Sequence, residues 1–561
     1  MIDFFIFIFF FYFSLISVLG YGVIFKKIIF NKISINEDIN IYIGFYGLMF
    51  LTLISLFTSF FLEHNFYHNI VLHLVGIFYF FYSSFKKNII FHKHIFYISI
   101  FLIPLLLISK THDDFSYYHY PFTKFLTENH VIFGIGHLNL GYNFLSSLFF
   151  LNSSFYLPFI KLFSFHYTII FFLLFFNYFL FVKIFSNKTH EFFRYLYLLS
   201  FIFFNLSFNR LAEFGMDKGS QLLVVLLVIR LFEIITQDKI EKKVNHILLL
   251  VPLIGFSIST KTYFLTYLLL GFSIFLIDKK YFRNFINIIC TRSFLSFSFV
   301  VILTFSHHFI STGCFISPLP YLCFDQYFDW GRDANDVKDL SIWLEQWSKA
   351  GASPTYRIED ELNYIKNFNW LSNWIKEYFL VKFLDQIAIL FSSIVIIILF
   401  LKKFHLSNKK IFFKKKFLIF FSLIMIVFYI WLTNHPTLRY GGYSAFYLLI
   451  SFPIAILLYK LKNRNNGIKQ TVILVFLILS IVDIKNIIRI NKEINRNDHY
   501  SFKNFPFFAI KEKEYKEKKF DSGLTLYSAH HCWDTPTPCG NFGEKINVYN
   551  KNGYFFIQQL K

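Results

Sequence analysis

The residues best suited to chemistry lie in Thr111-His112-Asp113-Asp114-Phe115-Ser116-Tyr117-Tyr118-His119-Tyr120-Pro121. Two adjacent carboxylates at the end of an apolar run repel each other, and partial desolvation disfavours their charged forms. Such a pair calls for a cation, a metal or a proton-donating substrate. It has the chemistry to deprotonate a hydroxyl as general base, or to hold a divalent cation. Tyr118 and His119 follow on the same short stretch and are the loop's candidate substrate contacts. The bland alternative is a solvated loop whose aspartates cap a helix.

Cations that could face an anionic substrate occur in three further segments. Arg439 stands in Asn-His-Pro-Thr-Leu-Arg-Tyr-Gly-Gly. Arg210 and Lys218 frame Glu213 and Asp217. Lys261 interrupts an apolar run in Ser-Thr-Lys-Thr-Tyr. Arginine and lysine stabilise a leaving phosphate through charge-assisted hydrogen bonds. Each is also a residue that snorkels to a membrane interface with no further role, and Arg210 with Glu213 has the i,i+3 spacing of a helical ion pair.

The elements that must position these groups are membrane helices. Of the 561 residues, 56% are hydrophobic, only 16% are charged, and 85 are Phe. The apolar residues fall in runs of about 18–22, enough to cross a hydrocarbon core of about 30 Å. We place helices near 3–22, 40–61, 67–84, 90–109, 156–182, 193–208, 219–236, 245–258, 262–278, 293–311, 385–401, 417–433, 442–459 and 470–487. The first run has no basic segment before it and no small-residue cleavage site, so it reads as a retained helix. The pair around Ser257–Lys261 could equally be one broken helix.

The net charge of +21 does not signal nucleic-acid binding. Lys and Arg collect in alternate short connections, from Lys26, Lys27 and Lys32 to Lys460, Lys462, Arg464 and Lys469. That is the bias of cytoplasmic loops. One parity satisfies the whole chain, with basic loops inside and both ends outside. It exposes Lys110–Tyr156, Asn209–Lys218, Ser259–Lys261, Ser311–Gln386 and Thr433–Tyr443 on one face. After the acidic pair, Phe122–His130 and Leu140–Leu151 read as interfacial helices around a turn with Gly134, Gly136 and Gly141. The resulting division is residues 1–109 (helices), 110–156 (acidic loop), 157–311 (transmembrane core), 312–385 (outer subdomain), 386–487 (helices) and 488–561 (a small soluble outer tail). The fold class is an all-α polytopic membrane protein of about 12–14 spanning helices.

Four of five cysteines fall outside: Cys314 with Cys323, and Cys532 with Cys539. Two local disulfides in an oxidising compartment are the favoured reading. Metal binding with the neighbouring His307, His308, His530 and His531 is the rival. The segment with Trp330, Trp343 and Trp347 is either a saccharide-stacking wall or a structural subdomain.

An Asp-Asp pair at a membrane boundary, followed by juxtamembrane helices, resembles the GT-C type glycosyltransferases. The stretch Asp113-Asp114…Tyr118-His119-x-Pro121 is similar to a set of bacterial inner-membrane proteins. They share the Gly313-Cys314…Pro318-Leu319-Pro320…Cys323 and Cys532-Trp533-x-x-Pro536-x-Pro538-Cys539 patterns. The resemblance implies transfer of a sugar from a polyprenyl-phosphate donor to a glycan, lipid or protein acceptor on the periplasmic face of the inner membrane. Asp113 would be the general base, with Asp114 as its positioning or cation-binding partner. A divalent cation is the one cofactor this reading allows, and membrane lipid, not nucleic acid, is the partner. In many such enzymes the acidic loop follows the first helix, whereas here it follows the fourth. Two other classes compete. A transporter or flippase would need charges within its helices and an internal repeat, and an O-antigen-type polymerase would need arginine-rich outer loops.

The parity makes a direct prediction. With Asp113→Cys, a membrane-impermeant maleimide should label position 113 in intact cells and leave Cys290 unlabelled. The reverse pattern would invert the orientation.

Overall fold

The computed structural model describes residues 2–31, 39–86, 93–107, 114–208, 216–236, 240–277, 288–353, 355–406, 414–463, 467–496, 514–543 and 545–560. Among these, ten helices are long and apolar enough to cross a membrane, including Ile2–Ile29, Asp217–Thr236, Leu371–Leu401 and Leu438–Lys460. Ile43–Thr58, His94–Leu106 and Thr262–Ile277 are shorter apolar helices, and Glu191–Ser207 occupies the segment expected at 193–208. The chain is a multi-pass membrane protein, since a helix can satisfy every backbone polar group within itself in lipid. The break near Ser257–Lys261 separates two elements: one helix ends at Thr260, and a 3₁₀ turn runs from Thr262 to Gly271.

The connections sort to two ends, as the charge pattern requires. At the basic end Lys402, fully buried, donates to Asn463 Oδ1 at 2.5 Å and lies 3.8 Å from Glu191. Lys402–Leu406 and Leu461–Asn463 form a short antiparallel pair there. At the other end gather the segment after Asp113, the turn at Lys261, the outer subdomain and the turn before Tyr443. Trp374 Nε1 donates to Pro436 O (2.8 Å), and Ser348 Oγ meets His435 Nδ1 (3.2 Å).

Four expectations change. The helix expected at 385–401 begins at Leu371 and passes through a π-helical stretch, Ile375–Phe383. It therefore straddles the expected boundary at 385/386; Lys376, Glu377, Lys382 and Asp385 interrupt its apolar run and hide its start. The last spanning helix likewise continues to Arg496, past the boundary at 487. The two interfacial helices, observed as Tyr120–Glu128 and Ser147–Ser154, are buried within the protein rather than lying against headgroups. Finally, the fold is not purely helical, because the C-terminal tail forms two small sheets.

One sheet is Lys516–Lys519, Thr525–Ser528 and Cys539–Gly540; the other is the hairpin Ile546–Lys551 with Tyr554–Gln559. Both disulfides are present, Cys314–Cys323 and Cys532–Cys539, so the metal alternative for these cysteines falls. The loop closed by the second lies on the acidic segment: Trp533 N donates to Ser116 O (3.1 Å), and Tyr120 Oη to Asp534 Oδ1 (3.0 Å). Lys124 Nζ reaches Asp534 Oδ1 at 2.8 Å. The hairpin pairs Phe133 with Phe556 and buries Trp330 beside them. Trp330 is thus a packing residue.

Close backbone approach holds the first helices together. A Cβ on Gly20 would collide with the Gly76 carbonyl, whereas one on Gly271 would meet nothing. Small residues at such contacts let membrane helices pack by van der Waals attraction. Gly20→Ala should therefore cost about 1–3 kcal/mol and lower the melting temperature read by fluorescence-detected size exclusion. Gly271→Ala should leave that temperature unmoved.

Candidate functional site

Three helix ends and one loop bring four charged side chains together. Asp217 opens a spanning helix, Lys261 stands at the break before Thr262, and Arg439 lies in the π turn Leu438–Gly442. Asp114 leads into the π turn Phe115–His119. Arg439 Nη2 donates to Asp114 Oδ2 at 2.5 Å and Nε to Asp217 Oδ2 at 3.0 Å. Lys261 Nζ pairs with the other oxygen of Asp217 and donates to the Arg439 carbonyl at 2.8 Å. The side chains are between 14% and 29% exposed, so the cluster is largely withdrawn from water.

The backbone around Arg439 is held from both sides. Gln221, fully buried, donates to Leu438 O at 2.9 Å and accepts from Ser444 N at 3.0 Å. Tyr378 Oη accepts from Leu438 N at 2.8 Å. Gly441 takes φ +87°, a left-handed conformation that costs glycine little, with Tyr263 against it. Gly141 has the other glycine-dependent contact, since a Cβ there would enter the Tyr118 ring.

Two cavities meet at this cluster, and both are lined by Asp217 and Arg439. The larger, about 360 Å³, adds His119, Lys218, Trp347, Tyr378, Lys382 and Asp385. The smaller, about 120 Å³, adds Tyr118, Lys261, Tyr263, His308, Ser317 and His435. Tyr118 and His119 are consecutive, yet they line opposite cavities. Asp217 and Arg439, which line both, form the partition between them, and Asp114 is bonded to Arg439. A single π turn, a distortion frequent at functional sites, sets that divergence.

The partition is ionic. The Arg439 guanidinium occupies one oxygen of each carboxylate through charge-assisted hydrogen bonds, so Asp114 and Asp217 are orienting groups and electrostatic partners more than proton acceptors. Burial, and then the Asp114 charge, raises the Tyr118 phenol well above its ordinary range, so it remains a hydrogen-bond donor. Arg439 also lies over the Trp347 ring, 5.7 Å from its centroid, and Lys261 over Tyr440 at 4.6 Å.

Of the residues singled out in the sequence, Asp114, Asp217, Lys261, Arg439, Tyr118 and His119 converge. Asp113, Arg210 and Glu213 lie outside the described residues. Lys382, Tyr378, Asp385, Ser317 and His435 join them with no sequence motif to mark them. Lys382 and Asp385 belong to the hidden helix start. His435 and Ser317 are legible only as neighbours of Arg439 and Cys314. Among the described residues no three His, Cys, Asp or Glu side chains gather to hold a metal ion. His137 instead donates Nε2–H to Trp330 O at 3.0 Å.

Bundle and site together define a multi-pass membrane protein with a buried ionic partition between two cavities at one end. The chain belongs to the family described as a domain of unknown function, DUF8201, whose model matches residues 4–447. That match takes in the whole partition and both cavities and stops short of the C-terminal sheets. No curated protein and no solved structure matches the chain.

Two histidines make this end sensitive to acid. His435 is held at about 4 by burial, then by Lys349 and Lys261, and His137 at about 4 by burial, then by Arg332. Both are lowered from an ordinary 6.5, so between those values the unfolded chain binds more protons and stability falls as pH falls. The melting temperature should drop from pH 6.5 towards 4, and His435→Asn should flatten that slope. An unchanged slope would contradict the assignment.

Proposed function

We propose that the protein is a glycosyltransferase of the inner membrane, acting on its periplasmic face with a polyprenyl-phosphate-linked sugar as donor. The observation that carries the proposal is the ionic partition. It places Asp217 and Arg439 where two cavities meet, an arrangement suited to bringing two substrates to one reacting carbon. Binding both partners in fixed orientation supplies much of such a rate enhancement.

In this reading an acceptor hydroxyl attacks the anomeric carbon. The new carbon–oxygen bond forms as the bond to the phosphate oxygen breaks, and the electron pair leaves with the polyprenyl phosphate. The hydroxyl proton passes to a carboxylate, and the anomeric configuration inverts. Asp113 is the base implied by the resemblance to GT-C enzymes. Asp114, fixed by Arg439, positions that segment, and the Arg439 and Lys261 charges bias the partition towards an anionic leaving group. The charge parity along the sequence supports the periplasmic orientation.

The test uses membranes containing the full chain, a radiolabelled polyprenyl-phosphate sugar and endogenous acceptor. Asp113→Asn should lower transfer by about 10²–10⁴-fold, the usual worth of a general base, at normal protein levels. Asp114→Asn should lower it as well. Undiminished transfer in both variants would sink the reading.

A further inference from the structure

A cavity of about 240 Å³ lies at the opposite end of the molecule, among the basic connections. Four helices meet there by their ends. Ile184 and Phe185 close one spanning helix, Leu401 closes another, and Gly467 opens the last. Arg194 is the fourth residue of Glu191–Ser207. Spanning helices that end together in this way mark the level of the phospholipid headgroups.

The charge in this cavity is unbalanced. Among the described residues Arg194 is the one charged side chain in its lining, and no carboxylate lines it. Arg194 Nη2 donates to the carbonyls of Ser186 (3.2 Å) and Thr189 (3.4 Å), while Nε is buried without a hydrogen-bond partner. Glu191, three residues earlier on the same helix, instead accepts from Asn463 Nδ2 at 2.6 Å and from Tyr195 Oη at 3.3 Å. Lys402, over the Tyr195 ring, faces that same Glu191. A guanidinium so placed lacks an anion, and a buried donor left without its hydrogen bond is costly.

The remaining lining is apolar below and open at the rim. Ile184, Leu198 and Leu401 are buried, whereas Ile468 is 65% exposed. Ile468, Val472 and Phe476 follow one another at four-residue spacing and therefore share one face of the last spanning helix. Val472 and Phe476 are 51% and 56% exposed. An apolar stripe on the bilayer-facing surface thus starts at the rim of the cavity.

We infer that this cavity binds the phosphate of an anionic phospholipid. Arg194 ligates the phosphate through Nε, Asn187 and Thr471 flank the headgroup, and the acyl chains run along Ile468, Val472 and Phe476. A zwitterionic headgroup would bring an ammonium into a lining that has no carboxylate to receive it. Anionic lipid is also what the leaflet beside basic loops supplies, and basic pockets between helices on that side hold such headgroups. The site is independent of the glycosyl-transfer reading.

The full-length protein, purified in a neutral detergent, is titrated with phosphatidylglycerol or phosphatidylcholine, and the lipid retained is counted by native mass spectrometry. Wild type should hold one phosphatidylglycerol roughly tenfold more tightly than phosphatidylcholine. Arg194→Gln should weaken phosphatidylglycerol binding by about the same factor, the worth of one charge-assisted hydrogen bond. Ile468→Asp places a rival carboxylate at the rim, in a first helical turn that favours acidic residues. It should weaken binding similarly even if Arg194→Gln folds poorly. Undiminished retention in either folded variant, or equal retention of the two lipids by wild type, would overturn the inference. Displacement of the lipid by inorganic phosphate would make this a site for the free ion and overturn it as well.

Discussion

Arg439 is the constraint on which the end of the molecule opposite its basic connections depends. One guanidinium binds two carboxylates that are 325 and 222 residues away in sequence. Without it, Asp217 would keep Lys261, but Asp114 would lose its guanidinium partner in a poorly hydrated space. Removing one partner from a buried pair of this kind costs about 3–5 kcal/mol. Its planar fork binds two anions in fixed directions, which the point charge of a lysine cannot reproduce. Gln221 and Tyr378 then fix the backbone that carries it. The orientation of three spanning helices and the acidic segment is set through this one side chain.

Such a contact also separates holding from reacting. A charge that is fully engaged is a poor acid or base but a good electrostatic fixture, already oriented before any substrate arrives. The partition is therefore pre-organised, and the groups around it are free to differ on its two sides. On one side Lys261 stands among His308, His435, Ser317 and Tyr118. On the other Lys218 and Lys382 stand with His119 and Tyr378. A chain so rich in apolar side chains gathers these polar groups in a small volume.

Much of this is legible in the sequence. Apolar runs long enough for the bilayer, and basic connections in strict alternation, are enough by themselves to put Asp114, Asp217, Lys261 and Arg439 at one end. Hydropathy has no means of showing their mutual contact, because it orders helices along a membrane normal and not around it. It also misplaces the start of the Leu371 helix, where four charged residues sit on helical backbone and read as loop. The helices after Asp114 look interfacial for a similar reason: they pack on each other and on Ile43–Thr58, and their polar side chains meet the loop that joins strands in residues 514–560, whose polar composition suggests a loose tail.

Those strands have a consequence for how the molecule is made. Tyr120 and Lys124 find Asp534 across 414 and 410 positions, and closing so long a separation must await nearly everything between. As the chain is synthesised from its N-terminus, the acidic segment is inserted early and remains uncovered while the intervening helices are added. Only when residues 532–539 arrive does it acquire its roof. The outer end is thus completed last, so a ribosome that stalls before the final sheets leaves a membrane-embedded bundle with an unroofed acidic segment.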